Sequence, residues 1–438
     1  MSIIYLLLSV LVLTTALSGC DSINLSQILT PETQSPGMQP ASTVLPETTP
    51  EINSANLTTT PLPQPILIWV PPEFDPNNGT RAGNLLQAQL DRYMQANPDI
   101  QVNVRVKTLS GPGGLMDSLV NTKAAAPSAL PSLVILSRAN LETAALKGLI
   151  IPLDQDTNLL EDEDWYDYAR QLAQIQNTTF GFPFAGDAFI LIYRAAIVSS
   201  SPTDWAEIFE YEEPILFPAA DPMSFFTLNL YRSAGGNTEN DQYQAILEQM
   251  ILESVLSFYE DGVERGAFPY WLSQLETNEQ TWQAYREKEA NWLISKTSDF
   301  LTELPADTTA IPLPPLSLES STLADGWLWA ISNPMPEQRE TSIKLAEYLV
   351  ESEFLSQWTV AAGYLPVRPS VMEAWPNQSI RTLLSQVTLS AQIGPTNDII
   401  TSLAPILRDA TLQIIRRLSS PRKAAQDAID SLIIPQIQ

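Results

Sequence analysis

The stretch Pro65-Ile66-Leu67-Ile68-Trp69-Val70 decides the fold. It is a short continuous apolar run, rich in β-branched residues, and predicts a strand buried on both faces as in a parallel sheet. Towards the C-terminus, Leu85, Leu86, Leu90, Tyr93 and Met94 recur at helical spacing within residues 83–95. Asn97-Pro98-Asp99 breaks that helix, and residues 100–106 alternate as a second strand. A helical stretch around 115–125 precedes a third strand at Leu133-Val134-Ile135-Leu136, and a further strand is expected over 189–193. Strand and helix in alternation predict an α/β fold with a parallel sheet. From about Asp204 onward the pattern is mostly helical. Ser419-Ser420-Pro421 offers a cap and a first-turn proline for a final helix through Ile433.

Upstream of Pro65 the character changes. Residues 21–64 hold seven prolines among many Ser, Thr, Asn and Gln, and no Lys or Arg occurs before Arg81. Such a segment buries too little to offset its ordering entropy, which predicts a flexible linker over 20–64. It would reach roughly 150 Å when extended and about 35–50 Å on average. The apolar run at 3–13 is too short for a membrane span but has the length of a secretory signal core. It leads to Leu17-Ser18-Gly19-Cys20, which resembles a bacterial lipobox, although Met1-Ser2 carries no basic residue. The resemblance implies a signal peptide over 1–19, lipidation at Cys20, and anchoring to the cell membrane by several acyl chains. The body would then face the periplasm or the cell exterior.

The chain of 438 residues is 44% hydrophobic, enough for two or three domains with sizeable cores. Its net charge of −27, from 50 acidic and 23 basic residues, argues against nucleic acid as a partner. It contains no histidine, which excludes a His-dependent triad and a His-based zinc site. Cys20 is the only cysteine, so the body has no thiol for a disulfide. Two carboxylates suffice for glycoside hydrolysis, but the run Glu161-Asp162-Glu163-Asp164 reads as a charged helix start or solvated loop. No Gly-x-Ser-x-Gly elbow or phosphate-binding loop occurs. These observations point away from an enzyme and call for no cofactor and no metal.

Several patterns resemble, in order, the extracellular solute-binding proteins of family 1, the maltose-binding-like substrate-binding lipoproteins of ABC importers. Ile66-Leu67-Ile68-Trp69 resembles their opening strand, and Asn97-Pro98-Asp99-Ile100-Gln101-Val102 their second. Gly148-Leu149-Ile150-Ile151-Pro152-Leu153-Asp154 follows, then the run from Gly181 to Arg194, where the chain of such proteins first crosses between lobes. Pro202-Thr203-Asp204-Trp205-Ala206-Glu207-Ile208, residues 324–332, and Gly363-Tyr364-Leu365-Pro366-Val367-Arg368 complete the set. Departures include Pro131-Ser132 for the family's Pro-Asp and Tyr193-Arg194 for its Tyr-Asn.

The resemblance implies a two-lobed, type II periplasmic-binding-protein-like fold with a helix-rich second lobe and a hinged cleft. The first lobe would span 65–185 and 306–334, the second 186–305 and 335–438. A monomer would capture a small-molecule solute, most simply a carbohydrate, and deliver it to membrane permease subunits. Alternatives are a polyol or phosphodiester ligand, and a receptor that works without transport. By the same resemblance Glu73 and Phe74 line the cleft after the first strand, and Gly114 lets backbone approach the ligand. Ser137 and Arg138 follow the third strand, with Asn140 close by, and Asp187 takes the place of an acid that accepts sugar hydroxyls. Phe225 would stack on the sugar, with Trp327 and Tyr364 at the border of the cleft. Phe225 and Phe226 compete for that role, as do Trp327 and Trp329, whereas Trp69 reads as core.

Overall fold

The computed structural model describes residues 65–198, 201–316, 321–332 and 336–433; the Cys20 site and the linker lie outside them. The opening strand forms as expected: β1 (Ile66–Val70) runs between two parallel neighbours and is buried on both faces apart from the half-buried Leu67. Thr80 caps α1 (Arg81–Ala96) by accepting a bond from Gly83 N, and Leu86, Leu90 and Tyr93 form the helix's buried stripe. β2 (Val102–Val106) pairs with β1 at the sheet edge, where its alternation leaves Asn103 and Arg105 in solvent. After α2 (Leu115–Ala125), β3 (Leu133–Ser137) takes the other flank of β1 and runs directly into α3 (Arg138–Leu146). α4 (Asp167–Ala173) and the small hairpin of β4 (Gln174–Ile175) and β5 (Thr178–Thr179) lead to the central element.

That element is β6 (Phe182–Arg194), buried along its whole length. The expected strand at 189–193 is only its second half. Pro183 and Gly186 make the first half look like a loop, yet both lie in register opposite a partner strand. Gly186 is needed there, because a Cβ would stand 2.2 Å from the Tyr168 hydroxyl. Beyond β6 come α5 (Trp205–Phe209), β7 (Ile215–Leu216), α6 (Phe225–Ser233), α7 (Gln249–Glu264) and α8 (Asn278–Arg286). β8 (Trp292–Lys296), α9 (Thr297–Glu303), β9 (Thr308–Pro312) and β10 (Thr322–Ile331) follow.

β6 belongs to two sheet halves. Its residues from Phe182 to Ala188 pair antiparallel with β10, which continues the order β2-β1-β3-β10-β6. From Phe189 to Arg194 it pairs with β8 on one side and β9 on the other. The change of partners falls between Ala188 and Phe189. β9, expected in the first lobe, pairs with the second half of β6. Of the helices expected in the second lobe, α10 (Pro336–Tyr348) packs on β10, and α11 (Ser352–Ala362) packs on α1. The reason for α11 is its apolar face: Phe354 and Trp358 lie against Phe184. After α12 (Gln378–Ser390) and β11 (Ala391–Ile393), α13 (Asn397–Ile415) and α14 (Pro421–Ile433) pack on α7. Among the described residues no helix is long and apolar enough to cross a membrane.

Candidate functional site

A cavity of about 100 Å³ opens beside the crossing point of β6. The start of α3 forms one wall with Arg138 and Glu142, and β10 adds Leu323, Ala324 and Asp325. The facing wall comes from Met223, Phe225 and Leu228 at the start of α6, and from Lys296 at the end of β8. The loop Gly394-Pro395 and the first turn of α13 close the remaining side with Asn397 and Ile400. Both sheet halves thus contribute.

Local chemistry explains how each wall is held. Ser137 Oγ accepts from Asn140 N at 3.4 Å, capping α3 and fixing where Arg138 leaves the strand. Arg138 Nη2 donates to the carbonyl of Gln174 at 3.1 Å, and Nη1 lies 3.6 Å from Glu142 Oε2. Its Nε and Nη1 are buried with no hydrogen-bond acceptor. Burial lowers the Arg138 pKa, against the pull of Glu142 and Asp325. Burial also raises the Glu142 carboxyl, whose Oε1 accepts from Asn397 N at 3.0 Å and ties α3 to α13.

Across the cavity a tight turn presents the aromatic. Asp221 accepts from Met223 N at 2.9 Å and from Phe225 N at 3.1 Å. Ser224 sits between them in the left-handed region, φ 50°, a strained conformation for a residue with a Cβ. The turn leaves Phe225 half-buried at the cavity and sends Phe226 into the core. Lys296 lies 3.7 Å from Asp325 Oδ2. Burial pulls its ammonium down, but Asp325, Asp187 and Asp299 outweigh this and hold its pKa above the ordinary value.

Asp187 reaches the cavity, but its oxygens are occupied from within. Oδ1 accepts from Thr297 Oγ1 at 2.7 Å, from Ser298 N at 3.0 Å and from Ala188 N at 3.0 Å. Oδ2 accepts from Ser298 Oγ at 2.6 Å. The carboxylate thus serves the first turn of α9 and joins β6 to it. Burial still raises its pKa, against Lys296 and these bonds.

The remaining expected residues gather elsewhere. Phe74 is buried and meets Trp327 edge-on at 5.1 Å, and it stacks on Tyr364 at 5.8 Å and on Trp358 at 5.9 Å. Trp327 is half-buried, whereas Trp329 is core. Tyr364 borders a second pocket of about 220 Å³ with Trp282, Ser298 and Asp299. Burial raises its phenol well above the usual range, with Asp187, Glu73, Asp299 and Asp325 adding to the shift. Glu73 is exposed on a short turn. Gly114 approaches its own loop: a Cβ there would lie 2.9 Å from Gly111 O and the Ser110 carbonyl. Trp69 is core, as expected.

Sequence reasoning did not single out Glu142, Met223, Lys296, Asp325 or Asn397. Glu142 carried one usable signal, its place one helical turn after Arg138. The others come together only through the tertiary fold. Among the described residues no cluster of acidic side chains has the makings of a metal site.

Residues 88–380, well over half of the chain, match the family described as bacterial extracellular solute-binding protein. This chain belongs to that family. Solute-binding proteins of this kind bind their ligand rather than transform it, so the chain is a binding protein and not an enzyme. No curated protein matches the chain in sequence. Among solved structures it resembles the sugar-binding protein MalE from the phytopathogen Xanthomonas citri, with a TM-score of 0.69 at 17% identity, over 84% of this chain and 97% of that one. A cyclo/maltodextrin-binding protein complexed with maltotetraose gives a TM-score of 0.68 at 16% identity, covering 86% and 99%. Maltose-bound T. maritima MalE3 gives 0.66 at 16% identity, covering 84% and 99%. At such identities the likeness establishes the two-lobed fold, in agreement with the paired sheet halves of this solute-binding protein.

Proposed function

We propose that this extracellular solute-binding protein captures a carbohydrate in the cavity beside Arg138, Asp187 and Phe225 and delivers it to the permease of an ABC importer. One observation carries the reading: a cavity walled by both sheet halves pairs hydrogen-bonding groups with an aromatic face, the combination sugars require. The solved relatives are described with maltose, maltotetraose and other sugars, which supports the ligand class. Closure of the two walls over the ligand would favour one hinge state, and a permease would read that state. In this reading the protein works as a monomer, and a lipid on Cys20 with the linker behind it keeps the body near the membrane.

A thermal-shift screen of the purified full chain against sugars, polyols, phosphodiesters and amino acids tests this. A ligand at about 100 times its Kd stabilises the folded state by about 2.7 kcal/mol, a rise of a few degrees in Tm. A sugar that raises Tm supports the proposal. A rise confined to amino acids or phosphodiesters overturns the carbohydrate assignment.

A further inference from the structure

The cavity has an uneven lining. Its polar groups are few and mostly paired: Glu142 stands by Arg138, and Asp325 by Lys296. Asp187 is bonded on both oxygens. Most of the remaining wall is hydrocarbon from Met223, Phe225, Leu228, Leu323, Ile393 and Ile400. Water gains little against such a wall, while an apolar group gains roughly 25 cal/mol for each Å² it buries. An unsubstituted sugar, with hydroxyls on its whole rim, would leave many of them without partners.

The Arg138 guanidinium tells what the polar end accepts. Its Nε and Nη1 carry no hydrogen bond but are shut off from solvent, and Nη1 lies 3.6 Å from Glu142, so a ligand oxygen reaches them only when the side chain turns towards the cavity. That oxygen need not be charged, because Glu142 already stands 3.6 Å from Nη1. Counting the five ionisable groups at the cavity, Arg138 and Lys296 face Glu142, Asp187 and Asp325, and the balance is not positive. An anion would meet this field and a protein of net charge −27. A neutral oxygen meets no such penalty.

We infer that the cavity selects a neutral sugar bearing an apolar aglycone, its oxygens on Arg138 and its hydrocarbon or aryl group against Met223, Phe225 and Leu323. This rests on the carbohydrate reading above and narrows it. Binding of an amphipathic glycoside would place the ring face and aglycone where the wall is dry, and would add bonds to a guanidinium that Gln174 and Glu142 satisfy only in part.

Equilibrium dialysis of the full chain compares glucose, galactose and mannose with their phenyl β-glycosides and with glucuronic acid. The expected result is at least tenfold tighter binding of a phenyl glycoside than of its parent sugar, with the uronic acid weakest. Met223→Asn should bring the glycoside-to-parent ratio close to one, and Arg138→Gln should weaken the glycoside about tenfold. Parent sugars or a malto-oligosaccharide binding as tightly as the glycoside would overturn this inference and leave the carbohydrate proposal standing. Tighter binding of glucuronic acid would overturn it as well. If no sugar or glycoside binds while the thermal-shift screen finds a non-carbohydrate ligand, both readings fall.

Discussion

Two groups of residues that a sequence reader would send to the ligand behave in opposite ways. Phe74, Trp327 and Tyr364 pack ring against ring in a cluster that the core residues Trp358 and Phe184 complete. Arg138 and Phe225 line the cavity, and the arginine has two buried donors without a hydrogen bond, one of them 3.6 Å from Glu142. The first group is satisfied within the protein, and its energy goes into holding the lobes' elements together. The second is incomplete. Residue type alone does not separate them, because an aromatic platform and an aromatic core residue look alike until their neighbours are known.

Substitution should separate the groups, and the largest effect belongs to the aromatic cluster. Trp358 is buried, 4.1 Å from Phe184 and stacked on Tyr364 at 5.9 Å. Trp358→Ala should cost about 3–5 kcal/mol of unfolding free energy, measured by urea denaturation. A loss below about 1 kcal/mol would mean that the cluster is not structural and would reopen it as a ligand platform. Asp187 comes next. Asp187→Ala strands Thr297 Oγ1, Ser298 Oγ and Ser298 N, and should cost about 2–3 kcal/mol. Its effect on ligand affinity should be smaller than that of Arg138→Gln. If calorimetry instead shows unchanged stability with lost binding, the carboxylate faces the ligand and the two groups have been divided wrongly.

The backbone was easier to read than the site. The strand at Pro65, the break at Pro98 and the final helix from Pro421 each rest on a local signal, and each appears in the structure. The first half of β6 escaped because Pro183 and Gly186 interrupt its apolar run, while their justification is a partner strand and the ring of Tyr168, both distant in sequence. The helix-rich tail was legible as helix, but not the return of α11 to α1, since an apolar face does not say which surface it will meet. Asp187 was legible as an important acid. Its partners lie some 110 residues further on, where no spacing rule links them to it. Of the expected ligand residues, Arg138, Asp187 and Phe225 converge on the cavity and the others do not. Lys296, which contributes half of the positive charge there, has only its place at a strand end to announce it.

The smallest effect concerns a carboxylate that looked like surface charge. Asp164, the last of the run Glu161-Asp162-Glu163-Asp164, accepts from Ser370 N at 2.8 Å, from Ser370 Oγ at 2.6 Å and from Ser352 Oγ at 2.8 Å. Arg368, which lies over the Trp165 ring, approaches it at 3.4 Å. Burial pushes the carboxyl up, but these partners together hold it below its ordinary value. A carboxyl with a depressed native pKa binds fewer protons folded than unfolded, so stability rises with pH through that window. The contribution is present above about pH 4, the unfolded value, and is lost as pH falls through the native one. Asp164→Asn should therefore lower stability by about 1 kcal/mol at neutral pH and flatten the acid limb below about pH 4, read by urea denaturation at each pH. An acid limb as steep as that of the parent protein would show that other carboxylates set the acid sensitivity. Ligand affinity near neutral pH should not change, since Asp164 belongs with the residues whose partners are already inside the protein.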